Sequence, residues 1–254
     1  MQTKPALIRT AAVAVFVGSL CATGAPIASA GGAQIADPAQ RIVVLVPGQQ
    51  ATPGTSSLDR FDGMAAELTS QGYTVHTVNV KGLDLVADTR TVEKAVGQAT
   101  EGVDVESLAI VGHSYGGLSS RSYLKNFGGS DIVDTYIAIG TPQYGSPGGC
   151  AQLPGFGFDG CPITPFIGDL ITGDDTPGDT AYYSIRSAEE LADGRLDGGQ
   201  CRIMPIPNLV HEEEPEDRRV IAAVSEALTG GCAGQFVDDR DGTITRENSL
   251  FPAP

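Results

Sequence analysis

The chain has 254 residues, of which 41% are hydrophobic and 19% charged. That is ample for a sizeable core and excludes intrinsic disorder as the main state. Lys and Arg number 16 against 31 Asp and Glu, a net charge of −15; a surface so acidic repels phosphate backbones and anionic headgroups, which argues against nucleic-acid binding and electrostatic membrane docking.

Lys4 and Arg9 open the chain, and an apolar run follows from about Thr10 to Ala22. The run is too short to span a bilayer and has the length of a signal-peptide core. It leads to Ala28-Ser29-Ala30, the small-x-small pattern that signal peptidase reads. Residues 1–30 are therefore expected to be a signal peptide. Cleavage near Ala30 leaves 31–254 as one secreted domain without a stable membrane anchor. That domain keeps Cys150, Cys161, Cys201 and Cys232. An even number in an exported chain reads as two disulfides, and proximity favours Cys150–Cys161 and Cys201–Cys232. No CxxC or HxxH spacing suggests a metal site, so no metal is expected.

The exported part alternates strands and helices. Arg41–Val46 is a short apolar run rich in β-branched residues, the pattern of a strand buried on both faces. A helix is predicted from about Ser57 to Gln71, with Leu58, Phe61, Ala65 and Leu68 on one stripe and Gly72 as its stop. A strand over Thr74–Val80, a helix over Asp88–Thr100 and a buried strand over Ser107–Val111 come next. A helix over Tyr115–Asn126 and a strand over Ile132–Ile139 follow. From Pro142 to Gly178 the periodicity stops among Gly and Pro, with Cys150 and Cys161 inside. A stretch this long reads as a lid-like or substrate-binding insertion. Strands resume at Tyr182–Arg186 and near Arg202–Pro205, and a last helix spans about Pro215–Leu228. The tail contains Asp238-Asp-Arg-Asp241-Gly242, which lacks the alternate ligands of a calcium loop and reads as a solvated acidic turn. The βαβα order implies an α/β fold with a mostly parallel sheet and helices on both faces.

Gly112-His-Ser-Tyr-Gly116 is a G-x-S-x-G motif between a buried strand and a helix. In that context a sharp turn exposes the Ser114 hydroxyl at the carboxyl edge of the sheet, and the helix N-terminus aims amides at developing negative charge. A serine hydroxyl needs a base to take its proton and a third group to orient that base. The three histidines are His76, His113 and His211. His113 adjoins Ser114 and cannot easily fold back onto it, and His76 sits inside an early strand as a structural residue. His211 lies between the last strand and last helix, in the chain order Ser, acid, His that such an architecture uses. The acid is expected after the strand near Tyr182–Arg186, where Glu189, Glu190 and Asp193 are candidates. The oxyanion hole needs two backbone N–H donors. Tyr115 supplies one by position, and Gln49 in Pro47-Gly48-Gln49-Gln50 is the expected second.

These motifs resemble the secreted bacterial α/β-hydrolase lipases and esterases of the small Bacillus type, often grouped as class 2 lipases. The resemblance runs through Val46-Pro-Gly-Gln49, Gly112-His-Ser-Tyr-Gly-Gly117, Gly140-Thr-Pro142, Tyr182-Tyr-Ser-Ile185 and Val210-His211. It implies an α/β-hydrolase fold. Its position for the catalytic acid falls on Glu190, where the family carries Asp. The chain also departs from the family in having Pro47 before the oxyanion glycine, Tyr115 after the nucleophile, and the disulfide-bearing insertion. The function implied is hydrolysis of carboxylic esters, with an ester or lipid as substrate and no cofactor. Tyr144, Phe156, Phe158 and Phe166 would line an acyl groove beneath 142–178, or else fill a small satellite core. Acyl transfer on the same triad and a non-catalytic binding protein on a hydrolase scaffold are the alternatives.

Overall fold

Alternate residues of the central strands divide between two hydrophobic layers, and that division organises the fold. The computed structural model describes residues 38–50, 57–190 and 194–244. The leader expected at 1–30 and the candidate Asp193 lie outside them. Strand β1 (Gln40–Val46) sends Val43 and Leu45 to one face and Ile42, Val44 and Val46 to the other, all fully buried. Strands β3 (Val105–His113), β4 (Thr135–Ile139) and β5 (Ala181–Ile185) divide in the same way. One face packs against Met64 and Leu68 of helix α1 (Asp62–Ser70) and Val220 and Val224 of a C-terminal helix over Arg218–Ala227. The other packs against Val92 and Val96 of helix α2 (Leu85–Thr100) and Tyr123 and Leu124 of helix α3 (Tyr115–Asn126). Fully burying each such Val or Leu contributes about 1.5–3 kcal/mol.

With β2 (Thr74–Thr77), β6 (Gly198–Ile203) and β7 (Gly234–Asp239), the sheet has seven strands in the order β2-β1-β3-β4-β5-β6-β7. All pairings are parallel except β6 with β7. The chain leaves β1 for β2 on one side and returns to β3 on the other. Ligand crevices of open α/β sheets form at such a reversal, outside the carboxyl ends of the strands. Here those ends carry Pro47–Gln49 and Gly112–Ser114.

Several boundaries differ from expectation. The first helix begins at Asp62, after a tight turn over Asp59–Phe61. Helix α2 begins at Leu85, because the Asp84 side chain caps it by accepting from Ala87 N–H at 2.9 Å. Residues Gly129–Asp131 form a turn, so β4 starts at Thr135. His76 is exposed on edge strand β2, not enclosed as a structural histidine. Strand β6 begins four residues before the expected strand start. The tail is not only a turn: Asp238 and Asp239 end the antiparallel β7, and Asp239 pairs with Arg202 at 2.5 Å. The 142–178 stretch holds short turns at Pro147–Ala151 and Phe158–Gly160 and helix α4 (Pro165–Leu170). The Arg218–Ala227 helix is α5. Both expected disulfides, Cys150–Cys161 and Cys201–Cys232, are present. No helix among the described residues is long and apolar enough to cross a membrane.

Candidate active site

The turn between β3 and α3 positions Ser114. Its φ of 53° puts a non-glycine residue in the left-handed region, a strained conformation that persists only under tight packing. The packing comes from glycines. A side chain at Gly112 would meet Gly117 Cα at 2.6 Å, and one at Gly116 would collide with the carbonyls of Val46 and Pro47. Helix α3 is thereby pressed against the ends of β1 and β3. Ser114 N–H donates to the Ile139 carbonyl at 2.9 Å, which ties the turn to β4.

The other side of the site comes from the loops after β5 and β6, which are laced together. Ala188 N–H donates to the Ile206 carbonyl and Ile206 N–H to the Arg186 carbonyl. Ser187 Oγ shares its one hydrogen between the Leu209 carbonyl at 2.6 Å and the Glu189 carboxylate. Glu189 accepts from Asn208 N–H at 3.0 Å and from Ser187 Oγ at 2.8 Å. Those bonds hold the Glu189 carboxyl below its usual range, first through Ser187 and then through Asn208. Glu189 thus staples the loops, and its neighbour Glu190 faces the histidine.

His211 opens a single helical turn over His211–Glu216. Its Nε2 lies 2.9 Å from Ser114 Oγ, and its Nδ1 pairs with Glu190. A carboxylate on Nδ1 keeps the hydrogen there, which leaves Nε2 free to accept from the serine. Burial alone would push His211 down. The hydrogen bond to Glu190 and then the nearby Glu214 carboxylate outweigh it and hold His211 up to about 10.

Gln49 and Tyr115 both line the cavity above Ser114. Tyr115 is the first residue of α3, so its N–H is a first-turn donor without an intrahelical partner. A side chain at Gly48 would sit 2.7 Å from Ser114 Cβ, so the backbone before Gln49 passes close against Ser114. Two backbone donors can therefore converge near the hydroxyl.

The cavity holds about 380 Å³ and is open to solvent. Its wall includes Ser146, Gly148, Gly149, Gln152, Glu189 and Glu190. The side-chain amides of Gln49 and Gln152 pair across its mouth. The four aromatics expected in an acyl groove are not among its lining residues. Tyr144 is buried and donates to Asp175, and Phe166 packs beside Leu85, Leu118 and Leu170 in a satellite core. Phe156 is 62% exposed, and Phe158 is half-buried. Two of these rings are thus taken up in packing, and the other two lie outside the cavity lining.

Two residues of the site were not read from the sequence in these roles. His113 Nε2 is 3.0 Å from the His211 carbonyl oxygen, so it carries the hydrogen and donates. Glu214 is fully buried, with Oε2 at 3.4 Å from His211 Nδ1 and 3.5 Å from His113 Nε2. The spacing His211-x-x-Glu214 was the available signal, because residues i and i+3 eclipse on a tight helical turn. His113, His211 and Glu214 bring one ligand-type atom each within 4.8 Å of one another. Both imidazole N–H groups there are spent on protein acceptors, so the trio reads as a hydrogen-bonded cluster.

No protein-family model matches the sequence, and no curated protein matches it. Solved structures do resemble it. Aspergillus fumigatus lipase B superposes with a TM-score of 0.60 at 17% identity, over 83% of this chain and 56% of that one. The chain thus spans little more than half the length of that lipase. A Listeria innocua gene product matches with a TM-score of 0.52 at 16% identity, over 80% of this chain and 97% of its own. A Lactobacillus plantarum protein assigned as a cell-surface hydrolase gives 0.51 at 13% identity, over 76% and 93%. With the seven-stranded sheet, the strained serine turn and the two disulfides, these likenesses establish the α/β-hydrolase fold.

Proposed function

We propose that the chain is a secreted serine hydrolase of carboxylic esters, working through an acyl-enzyme on Ser114. One observation carries the reading: Ser114 Oγ lies 2.9 Å from His211 Nε2 on a strained turn, while Glu190 holds Nδ1. Ser114 Oγ attacks the ester carbonyl and its proton passes to His211 Nε2. The N–H groups of Gln49 and Tyr115 receive the oxyanion. The tetrahedral centre collapses, and His211 returns the proton to the leaving alcohol. Water activated by His211 then attacks the acyl-enzyme, which releases the acid and frees Ser114. Removing one oxyanion donor typically costs about 10²–10³ in turnover.

The cavity supports an esterase over a long-chain lipase. Burying one acyl CH₂ contributes about 0.8 kcal/mol where a wall offers apolar side chains, and this wall has only Tyr115 and Pro142 among glycine, glutamine, serine, glutamate and histidine, with no Leu, Ile, Val, Phe or Met. Short or polar acyl groups suit it. The carboxylates of Glu189 and Glu190 further disfavour anionic substrates. The leader expected at 1–30 and the two disulfides support export.

The test is hydrolysis of p-nitrophenyl acetate, butyrate and palmitate by the mature chain, with a fluorophosphonate probe and Ser114→Ala alongside. Turnover of the short esters and labelling should vanish together in the variant. A folded wild type with neither turnover nor labelling would sink the reading. Palmitate turned over faster than butyrate would restore the lipase.

A further inference from the structure

A carboxylate with no part in the acyl-enzyme cycle lies beneath the triad. Glu214 Oε1 accepts from Ser187 N–H at 2.7 Å. Its Oε2 has no hydrogen-bond partner among the described residues, although it is buried. That oxygen points into the gap between the His211 and His113 rings, whose centroids are 4.7 Å apart. A side chain at Gly140 would collide with it, so this glycine leaves the space the carboxylate fills.

A fully buried carboxylate is costly unless a positive group faces it. The titratable groups packed around Glu214 come from three elements. His113 comes from the end of β3, Glu190 from the loop after β5, and His211 from the same turn. The nearby Glu189 is committed to Ser187 and Asn208. Glu212 and Glu213 are exposed, and Arg60 bonds the Glu212 carbonyl and Glu216. The groups facing Glu214 that can become positive are therefore the two imidazoles. Burial pushes His113 down, against the pull of Glu214, and keeps it neutral. His211 remains.

We propose that Glu214 is a second positioning carboxylate of His211, sharing Nδ1 with Glu190 and stabilising the imidazolium from the buried side. The kinetic part of this proposal rests on the reading of Ser114, His211 and Glu190 as a catalytic triad. A base works only in its neutral form. Two carboxylates on one imidazole therefore hold back turnover at neutral pH and place the acid limb of the pH–rate profile on the alkaline side.

The experiment is kcat/KM against pH for wild type, Glu214→Gln, Glu190→Gln and Glu213→Gln. Loss of the Glu214 charge should move the acid limb down by about one pH unit or more, a tenfold gain in neutral base at a fixed pH. Glu190→Gln should instead lose about 10²–10⁴ of the plateau. Glu213→Gln removes an equal but exposed charge and should leave the limb in place. A merely structural Glu214 would lower the rate or the melting temperature without moving the limb. A folded Glu214→Gln whose limb stays at the wild-type pH would overturn the proposal.

A second arm does not need that variant to fold. In Glu190→Gln with ring-15N histidine, His211 should still titrate above the ordinary 6.5, because Glu214 remains. A value at or below it would overturn the proposal. This arm needs no turnover, so it separates the two readings. Full activity in Ser114→Ala would defeat the triad while the titration still judged Glu214.

Discussion

The serine turn and the 142–178 stretch border the same cavity and are held by opposite means. The turn is fixed by backbone against backbone: buried strands, glycines in contact with neighbouring carbonyls, and one serine at φ 53°. The stretch is held by charges, amides and a covalent bridge. Arg121, fully buried on α3, donates to Asp175 at 2.5 Å and to the Gln143 carbonyl at 2.8 Å. Lys125 Nζ donates to the carbonyls of Leu170 and Asp174. The Cys150–Cys161 bridge folds the stretch's outer part. The proposed nucleophile needs one geometry, and close packing supplies it. The cavity wall beside it is held by polar anchors that leave the sheet undisturbed.

The contrast can be broken from either side. The largest effect expected is chemical: Ser114→Ala should lower ester turnover about 10⁴-fold or more while leaving the melting temperature nearly unchanged. A large loss of stability in that variant would mean that the hydroxyl, and not only the packed backbone, holds the turn. Next is Asp175→Asn, which strands a buried guanidinium and should cost about 3–5 kcal/mol in denaturant unfolding. The folded fraction should still label at Ser114, because the turn does not depend on the stretch. Failure to label would show that the two regions are one unit.

In Gly116→Ala one methyl would meet two backbone carbonyls, and a loss of about 3 kcal/mol or more is expected from chemical denaturation. A neutral result would mean the helix can move away from β1 and the turn is less constrained than its contacts imply. The bridges come next. Replacing Cys201 and Cys232 by Ser opens a loop of sequence separation 31 and should cost about 2–4 kcal/mol. Replacing Cys150 and Cys161, separated by 11, should cost about 1 kcal/mol less by loop entropy, measured by thermal melts. The reverse order would say that the insertion is stapled more tightly than its length implies.

Stability against pH sharpens the same comparison. His211 is raised above its unfolded value, so its contribution is fully present below pH 6.5 and is lost as pH rises through about 10. Thermal melts from pH 6.5 to 10 should therefore fall less steeply in His211→Gln than in the wild type.

Much of the central sheet was legible because its strands carry uninterrupted apolar runs, which a buried parallel sheet requires. Strand β7 was not: Gly234–Asp239 is largely exposed and polar, and it is a strand only because β6 offers it an edge. The same distinction runs through the site. The pattern around Ser114 marked the proposed nucleophile, since the constraints on such a turn are local: small residues, a strand before, a helix after. Elimination pointed to His211. The choice of Glu190 over Glu189 was invisible to composition or spacing, because it follows from Glu189 being consumed by Ser187 and Asn208 across two loops.

By itself, then, the sequence determined the α/β alternation and the cysteine pairs and nominated the serine and histidine, all of which depend on periodicity, neighbours along the chain or a short list of candidates. The tertiary structure alone decided where the aromatic rings of 142–178 lie and that Glu214 sits buried between two imidazoles, and it is what brings Glu190, the position implied by the resemblance, against the histidine. Those outcomes depend on distances between residues far apart along the chain, and such distances exist only once the two layers of the core have closed on the sheet.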